Sequence, residues 1–190
     1  METKVGERCW CGSRRAFSSC CEPYLKRTNL APTEDAQKRS RYSAFCTGNV
    51  DYLLATQHPS TRLTGQEAEE RDRLSRSVNS TQWINLLIIK TQKGQKQDKT
   101  GRVEIVAAYQ AKPLLAIDIA TSPDTTAQSP SAISQLHENS RFVREQGQWF
   151  YLDGHMLPPY QPKRSSSGRN SLSQPCWCGS GKPYKYCHFQ

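Results

Sequence analysis

Two stretches of helical hydrophobic spacing open the middle of the chain. Between residues 36 and 54, apolar side chains recur every three or four positions, which is the spacing of amphipathic helices. Thr33 stands before this stretch as a good N-cap, and Gly48 interrupts it. The spacing therefore predicts two helices, at about 33–47 and 49–57.

A third helix is predicted in the charged segment that follows. Thr64 and Glu67 have the three-residue separation of a capping box, which marks the start of a helix. Apolar residues are few between Glu67 and Val78, so we expect this helix to be mostly exposed.

The later part of the chain has the composition and alternation of β-strands. Residues 83–90 are rich in β-forming side chains and residues 102–109 alternate polar with apolar, which predicts a hairpin with a half-buried second strand. Residues 139–144 and 148–153 flank a turn at Gly147 and predict another hairpin. Helices followed by antiparallel strands indicate an α+β fold, with the helices packed on one face of a curved sheet.

Segments of different composition mark the boundaries. The run Leu114–Ala120 follows Pro113, so it is predicted as an edge strand or as part of a loop that continues to residue 134. Residues 161–174 are dense in Ser with Lys, Arg and Gly, which predicts a flexible linker. We therefore expect four units: an N-terminal segment at 1–30, the α+β domain at 31–160, the linker at 161–174 and a C-terminal segment at 175–190.

The cysteines supply the clearest chemistry. Two short segments share the frame Cys-x-Cys, eight residues, then Cys-Cys or Cys-His. A structural Zn²⁺ takes four thiolate or imidazole ligands in a closed tetrahedron, and Gly12 and Gly179 allow each Cys-x-Cys segment to bend tightly. The predicted ligands are Cys9, Cys11, Cys20 and Cys21 for one zinc ion, and Cys176, Cys178, Cys187 and His188 for the other.

Disulfides are the alternative for a chain with eight cysteines. His188 makes a disulfide pairing less natural in the second segment, and Met1–Lys4 does not open a secretory signal. Because reducing compartments disfavour disulfides, we favour two structural zinc ions and expect a cytoplasmic protein. Cys46 lies in a helical pattern beside Phe45 and is interpreted as a small buried hydrophobe.

The positive charge lies at the two ends of the chain. The formal net charge is +9, and residues 161–190 carry Lys and Arg but no Asp or Glu. Thiolate ligands would lower this charge to about +6 once both zinc ions are bound. A basic arm suits an acidic protein, RNA or an anionic membrane surface, and it is also compatible with a solvated tail that has no partner. No apolar run approaches the roughly 20 residues of a membrane span.

The second cysteine segment also carries a family resemblance. Cys176–His188 resembles the SEC-C motif, the short zinc-binding tail of the bacterial secretion ATPase SecA, and it includes the Gly-Ser-Gly-Lys-x-Tyr-Lys core. The N-terminal segment keeps the ligands and Gly12-Ser13, but Arg14–Phe17 replaces the rest of that core. The resemblance implies a SEC-C zinc knuckle at the C-terminus and a degenerate copy at the N-terminus.

A wider resemblance covers nearly the whole chain. Segments at 39–45, 50–53, 140–142 and 147–154 resemble the YchJ family of bacterial proteins. Members carry SEC-C motifs around a nuclear-transport-factor-2-like domain, a cone of helices over a bent sheet, and the family implies no established activity. This chain departs from the family in its longer 111–134 region.

That fold commonly encloses a pocket, and in some relatives the pocket is an active site. The resemblance implies six pocket candidates on the matching segments and near them: Tyr42, Trp83, Arg141, Tyr151, Asp153 and His155. Asp153 beside a Tyr or His could act as a general base. The alternative is structural, with Arg141 and Asp153 as an ion pair and Tyr42 in the core. No further nucleophile or phosphate-binding motif is present, so binding is favoured over catalysis.

Three functions remain open at this stage. The first is an adaptor whose zinc knuckles present aromatic side chains to a protein of the secretion or translation machinery; the aromatic residues are Trp10, Trp177, Tyr184 and Tyr186. The second is a small-molecule-binding or enzymatic cone. The third is nucleic-acid binding, since aromatic residues beside Lys and Arg can stack on bases, but the small net charge after metal loading disfavours it. We favour the adaptor.

Overall fold

In the part of the chain that the structure describes, four helices precede the sheet, and the last three of them confirm the three predicted helices. The computed structural model describes residues 8–62, 65–95, 97–112, 132–162 and 171–188. The helices are α1 at Glu22–Leu25, α2 at Glu34–Thr47, α3 at Val50–Ala55 and α4 at Glu67–Ser80. Thr33 caps α2 as predicted, because its Oγ1 accepts a 3.2 Å hydrogen bond from the amide of Ala36. Thr64 of the predicted capping box lies outside the described residues.

Four antiparallel strands form a single meander. They are β1 at Thr81–Lys93, β2 at Thr100–Ala111, β3 at Ser134–Glu145 and β4 at Gln148–Met156, in the spatial order β1-β2-β3-β4. Both predicted hairpins are confirmed. Register shifts in the β1–β2 and β3–β4 pairs mark bulges, which bend a sheet and increase its twist. The run Leu114–Ala120 lies outside the described residues.

The main core lies between the helices and one face of the sheet. Tyr42 on α2 joins a cluster from β1, β2, β3 and β4. A second cluster joins α2, α3 and α4, and it contains Ala44, Tyr52, Leu53, Leu74 and Val78. The helices therefore lie on the concave side of the sheet, which gives the predicted α+β cone.

The other face of the sheet is also buried, which corrects the prediction of a half-buried β2. Four consecutive residues of β2, 105–108, are each at most 1% exposed. Ile105 and Ala107 face the helices, whereas Val106 and Ala108 pack against the C-terminal segment around Cys176. The alternating pattern of β2 does not indicate that its second face is covered, because the residues of the C-terminal segment that cover this face lie more than sixty positions away in the sequence.

Among the described residues, no helix is both long enough and apolar enough to cross a bilayer.

Candidate metal centres and the cavity of the cone

The N-terminal ligands converge on one point. The Sγ atoms of Cys9, Cys11, Cys20 and Cys21 all lie within 4.8 Å of one another. Cys20 Sγ is 3.6 Å from Cys11 Sγ and 3.9 Å from Cys21 Sγ. These separations exclude disulfide bonds, which are about 2.0 Å long. They fit a tetrahedron with metal–sulfur bonds of about 2.3 Å, whose edges are about 3.8 Å long.

Local backbone geometry assembles this set, which we call the N-terminal knuckle (residues 8–21). Gly12 has φ +74°, a conformation that a side chain disfavours, and it turns the chain between Cys11 and the following residues. The amide of Cys9 donates a 2.8 Å hydrogen bond to the carbonyl of Arg15, which closes the loop. A 3₁₀ turn at Phe17–Ser19 then delivers the last two cysteines.

The C-terminal ligands repeat this arrangement in a C-terminal knuckle (residues 175–188). Cys178 and Cys187 have their Sγ atoms 3.6 Å apart, and Cys176 Sγ lies 3.1 Å from His188 Nδ1. All four ligand atoms again lie within 4.8 Å of one another. Gly179 has φ +80°, and the 2.8 Å bond from the amide of Cys176 to the carbonyl of Lys182 closes the loop.

The two knuckles correspond residue for residue despite their different sequences. Arg14 in the N-terminal knuckle has φ +63°, and Gly181 at the same place in the C-terminal knuckle has φ +74°. Phe17 and Tyr184 are both buried at 6% exposure in corresponding 3₁₀ turns. The loss of the Gly-Lys-x-Tyr sequence therefore leaves the backbone geometry of the ligand set unchanged.

Each set contains a thiol that favours its thiolate form. Hydrogen bonds from the neighbouring cysteine Cys21 and then from Cys9 lower the pKa of Cys11. Burial opposes ionisation of Cys178, but hydrogen bonds from Ser180 and the neighbouring thiols outweigh it and lower its pKa. Thiolates are the form that binds a metal ion, so each set has one thiol favoured in that form, whereas the pKa values of Cys9, Cys21 and Cys176 are raised.

The N-terminal knuckle packs on α2 and on the backbone of β1. Arg39 on α2 donates a 2.8 Å hydrogen bond from Nη1 to the carbonyl of Cys11. Cys9 Sγ lies 3.6 Å from Ser43 Oγ on the same helix. A Cβ atom added to Gly12 would lie 2.6 Å from the carbonyl oxygen of Leu86, so only glycine allows this approach.

The C-terminal knuckle covers the opposite face of the sheet. Asn85 of β1 donates a 3.0 Å hydrogen bond from Nδ2 to the carbonyl of Trp177. Trp177 and Tyr184 pack against Val106 and Ala108 of β2 in one apolar cluster. Leu172, from the described end of the predicted linker, belongs to the same cluster. Residues 163–170 of the linker lie outside the described part of the chain.

This packing corrects the predicted presentation of aromatic side chains. Trp177 and Tyr184 are each only 6% exposed, and Trp10 packs against the main core. Tyr186 is 71% exposed. Of the four aromatic residues assigned to partner binding, Tyr186 therefore remains the one at the surface.

Cys46 takes no part in either metal set. It packs at the edge of the core cluster that contains Tyr42, and burial raises the pKa of its thiol to about 12. It behaves as the small hydrophobic residue predicted from its helical position.

A cavity of about 210 Å³ lies inside the cone. It brings together three of the pocket candidates, Tyr42, Trp83 and Tyr151. Phe45 completes an aromatic wall, since its ring and that of Trp83 have centroids 5.8 Å apart.

The polar side of this cavity contains residues that the sequence reasoning did not assign. Lys38 Nζ lies 2.9 Å from Glu138 Oε1, and the side chains of both are largely buried. Arg41 stacks over the ring of Tyr151 at 4.7 Å. Lys38, Arg41, Tyr42 and Phe45 have helical i, i+3, i+4 and i+7 spacing, so this shared face of α2 was a signal in the sequence.

The remaining pocket candidates lie outside the cavity. Arg141 and Asp153 form an exposed, two-point ion pair across β3 and β4, with a 2.6 Å bond from Nε to Oδ1. This pair lowers the pKa of the Asp153 carboxyl. His155 is exposed opposite Asn139. The structure therefore does not bring Asp153 and His155 to Tyr42, Trp83 and Tyr151.

Comparison with known proteins agrees with this architecture. Residues 35–154 match the family model described as "YchJ, middle NTF2-like domain", and residues 173–190 match the SEC-C motif. The chain belongs to the YchJ family. A UPF0225 protein of Photorhabdus laumondii is 38% identical to this YchJ-family chain over 95% of it and 98% of that protein. A UPF0225 protein of Geobacter sulfurreducens is 32% identical over 94% of the chain and 96% of that protein.

Two solved structures share the fold of this YchJ-family chain. A SEC-C motif containing protein from Rhodopseudomonas palustris has a TM-score of 0.61 at 24% identity, covering 80% of this chain and 100% of that one. Another from Psychrobacter arcticus has a TM-score of 0.56 at 21% identity, covering 97% and 96%. At these identities the comparison concerns the fold alone.

Proposed function

We propose that this YchJ-family chain is a zinc-binding interaction protein in which two structural zinc ions fix a knuckle on each face of the sheet. The observation that carries the zinc assignment is the convergence of four ligand atoms, within 4.8 Å, in each knuckle. Four-cysteine and three-cysteine, one-histidine sets are typical of structural zinc. All four positions are protein side chains, which leaves none for water or substrate.

The N-terminal knuckle is proposed as a second, SEC-C-like zinc site. Two observations support this proposal: the matching backbone geometry of the two knuckles, and matching contacts between a serine hydroxyl and a ligand sulfur. Ser13 Oγ lies 3.2 Å from Cys20 Sγ, and Ser180 Oγ lies 3.3 Å from Cys187 Sγ. Hydrogen bonds from a hydroxyl to a ligand sulfur orient that ligand and tune the metal.

The C-terminal knuckle carries the proposed interaction surface. Tyr186 is exposed, Lys185 Nζ lies over its ring at 4.7 Å, and Lys182 is exposed on the neighbouring loop. The chain from 161 to 190 has no acidic residue to neutralise these cations. Charge complementarity therefore favours an acidic segment of a protein partner, with an apolar side chain against Tyr186.

The N-terminal knuckle provides a matched control for this surface. Ser18 and Ser19 occupy the positions that Lys185 and Tyr186 occupy in the C-terminal knuckle. The two knuckles therefore share a metal geometry but differ in the side chains they expose. A partner that binds the exposed side chains will bind the C-terminal knuckle and not the N-terminal one. A protein that contacts zinc knuckles nonspecifically will bind both.

Photo-cross-linking in bacterial cells tests this proposal. A photoreactive amino acid at position 186 should cross-link to a discrete protein at an acidic segment, and Lys185→Glu should reduce the yield at least tenfold. The same probe at position 19 should give no such product. Cross-links from position 186 to RNA, or equal yields from positions 19 and 186, would contradict an acidic protein partner. We expect the partner to belong to the secretion or translation machinery, and the identity of the cross-linked protein will test this expectation.

A further inference from the structure

The cavity of the cone contains more positive than negative charge. Its charged lining residues are Lys38, Arg41, Arg73 and Glu138. Lys38 pairs with Glu138, and Arg73 pairs with Glu70 at 2.6 Å. Arg41 has no carboxylate within ion-pair distance in the described part of the chain. Arg41 therefore has no ion-pair contact of its own among these residues and is balanced only at longer range by Glu138, which is already paired with Lys38.

Arg41 is only 7% exposed, and a buried guanidinium normally forms an ion pair with a carboxylate. Its hydrogen bonds to described residues all come from Nη1, and they go to neutral oxygens: the carbonyl of Leu53 and Thr56 Oγ1, each at 2.7 Å. Burial lowers the pKa of this guanidinium to about 10. A buried charge without a direct ion-pair contact is costly, so an anion beside Arg41 would be favoured.

The aromatic wall contains a second unsatisfied group. Trp83 lines the cavity, and its Nε1–H is buried without a hydrogen-bond acceptor among the described residues. An indole N–H normally has a partner when it is buried. The wall around it is otherwise apolar, with Tyr42 and Phe45 each 5.8 Å from the Trp83 ring, centroid to centroid. The site thus offers flat apolar contacts, and the unpaired indole N–H is buried in its wall.

The volume of the cavity limits the size of the molecule that could occupy it. A volume of about 210 Å³ holds about seven water molecules at about 30 Å³ each. This is below the range of drug-sized ligand pockets, about 300–1,000 Å³. An occupant must therefore be a small molecule rather than a nucleotide or a peptide.

We propose that the cavity binds a small aromatic carboxylic acid, with its carboxylate at Arg41 and its ring packed against the aromatic wall formed by Tyr42, Phe45 and Trp83. Arg is well suited to carboxylates because its guanidinium offers several parallel donors. The Lys38–Glu138 pair lies beside this position and limits the site to one negative charge. This site is separate from both metal centres, so it adds a ligand-binding role to the proposed interaction role.

The first test compares two probes of the same shape, para-hydroxybenzoate and para-hydroxybenzamide, by calorimetry on the zinc-loaded full chain. The acid should bind with a Kd at least tenfold lower than that of the amide, because only the acid carries a negative charge that can pair with Arg41. Equal affinity for the two probes, or no binding of the acid at millimolar concentration, would overturn the proposal.

The second test uses variants that place the probe in this cavity. Ser77 on α4 lines the cavity, so Ser77→Leu should fill it and abolish binding. Ser75→Leu, on the same helix but outside the lining, should bind as the parent does. Trp83→Phe should weaken binding several-fold while keeping the ring. Unchanged binding by Ser77→Leu would overturn the proposal without bearing on either zinc site.

Discussion

The side-chain amide of Asn85 donates a 3.0 Å hydrogen bond to the carbonyl of Trp177, a residue 92 positions further along the chain. The next residue of β1, Leu86, supports the other knuckle, since its carbonyl oxygen faces Gly12 at a distance that excludes a side chain. One strand thus carries both knuckles at adjacent positions. The two candidate metal sites are consequently linked to the α+β domain through β1.

Asn85→Ala should loosen the C-terminal knuckle alone. The change removes the hydrogen bond to Trp177 but keeps the Cβ atom that contacts Gly179, and a bond of this kind contributes about 1 kcal/mol. Transfer of one zinc ion of the two to a colorimetric chelator should therefore be severalfold faster. Gln82→Ala, at an exposed position of the same strand, is the control and should release both ions at the parental rates. Faster release of both ions from Asn85→Ala would contradict the assignment.

Cys176→Ser should lower the stability of the whole chain while leaving the helices folded. Loss of the metal unfolds the C-terminal knuckle, because so small a unit has little core of its own. The sheet face at Leu87, Ile89 and Val106 would then meet water, at about 1.5–3 kcal/mol for each fully exposed side chain. A circular-dichroism melt should show a lower Tm with most of the helical signal retained at room temperature. Collapse of the whole chain would show that the domain depends on this knuckle to fold.

Gly12→Ala should be more damaging than Gly181→Ala, although both glycines have φ of +74°. An L-residue in the left-handed conformation costs about 1–2 kcal/mol, and this cost is common to the two variants. At Gly12 the new Cβ would also lie 2.6 Å from the carbonyl of Leu86, whereas at Gly181 nothing lies within 4 Å. Chemical denaturation with the zinc content matched should show the difference. Equal losses of stability would mean that the contact with Leu86 does not constrain Gly12.

Glu138→Gln should cost stability at neutral pH but progressively less in acid. Burial would raise the pKa of Glu138, but the charge and hydrogen bond of Lys38, the bond from Ser140 and the charge of Arg41 outweigh it and lower the pKa below the ordinary 4.5. A lowered carboxyl pKa stabilises the fold fully above the unfolded-state value and loses this effect as the pH falls through the folded-state value. Removing the carboxylate leaves Lys38 buried and unpaired, at a cost of about 3–5 kcal/mol.

The measurement for Glu138→Gln is the difference in unfolding free energy between the two proteins as a function of pH. Loss of metal in acid is common to both proteins, so it largely cancels in this difference. The difference should be constant above about pH 5 and should shrink below about pH 4.5. A difference that does not change with pH would mean that Glu138 and Lys38 are not electrostatically coupled.

The features that the sequence could predict are local ones. The spacing of Cys176, Cys178, Cys187 and His188 lies within thirteen residues, so a short turn brings these ligands together. Thr33 and Gly147 likewise act on their immediate neighbours, as an N-cap and in a hairpin turn. The α+β order of elements followed from the change between helical and alternating spacing.

The features that could not be predicted depend on contacts between distant segments. Nothing near Trp177 in the sequence shows that it lies under a knuckle against the sheet, because its partners Asn85, Val106 and Ala108 are far away. Arg41 presented the same difficulty. Its segment belongs to the family resemblance, but its position in the cavity depends on Tyr151 of the distant strand β4, over whose ring it stacks.

Both knuckles are proposed to hold structural zinc, and elemental analysis measures this zinc directly. Inductively coupled plasma mass spectrometry on the purified chain, together with a free-thiol count after chelation, should find two zinc ions per chain. Cys11→Ser and Cys178→Ser should each retain one, since the two ligand sets are separate. No bound zinc in the parent chain, with its cysteines oxidised, would contradict the account.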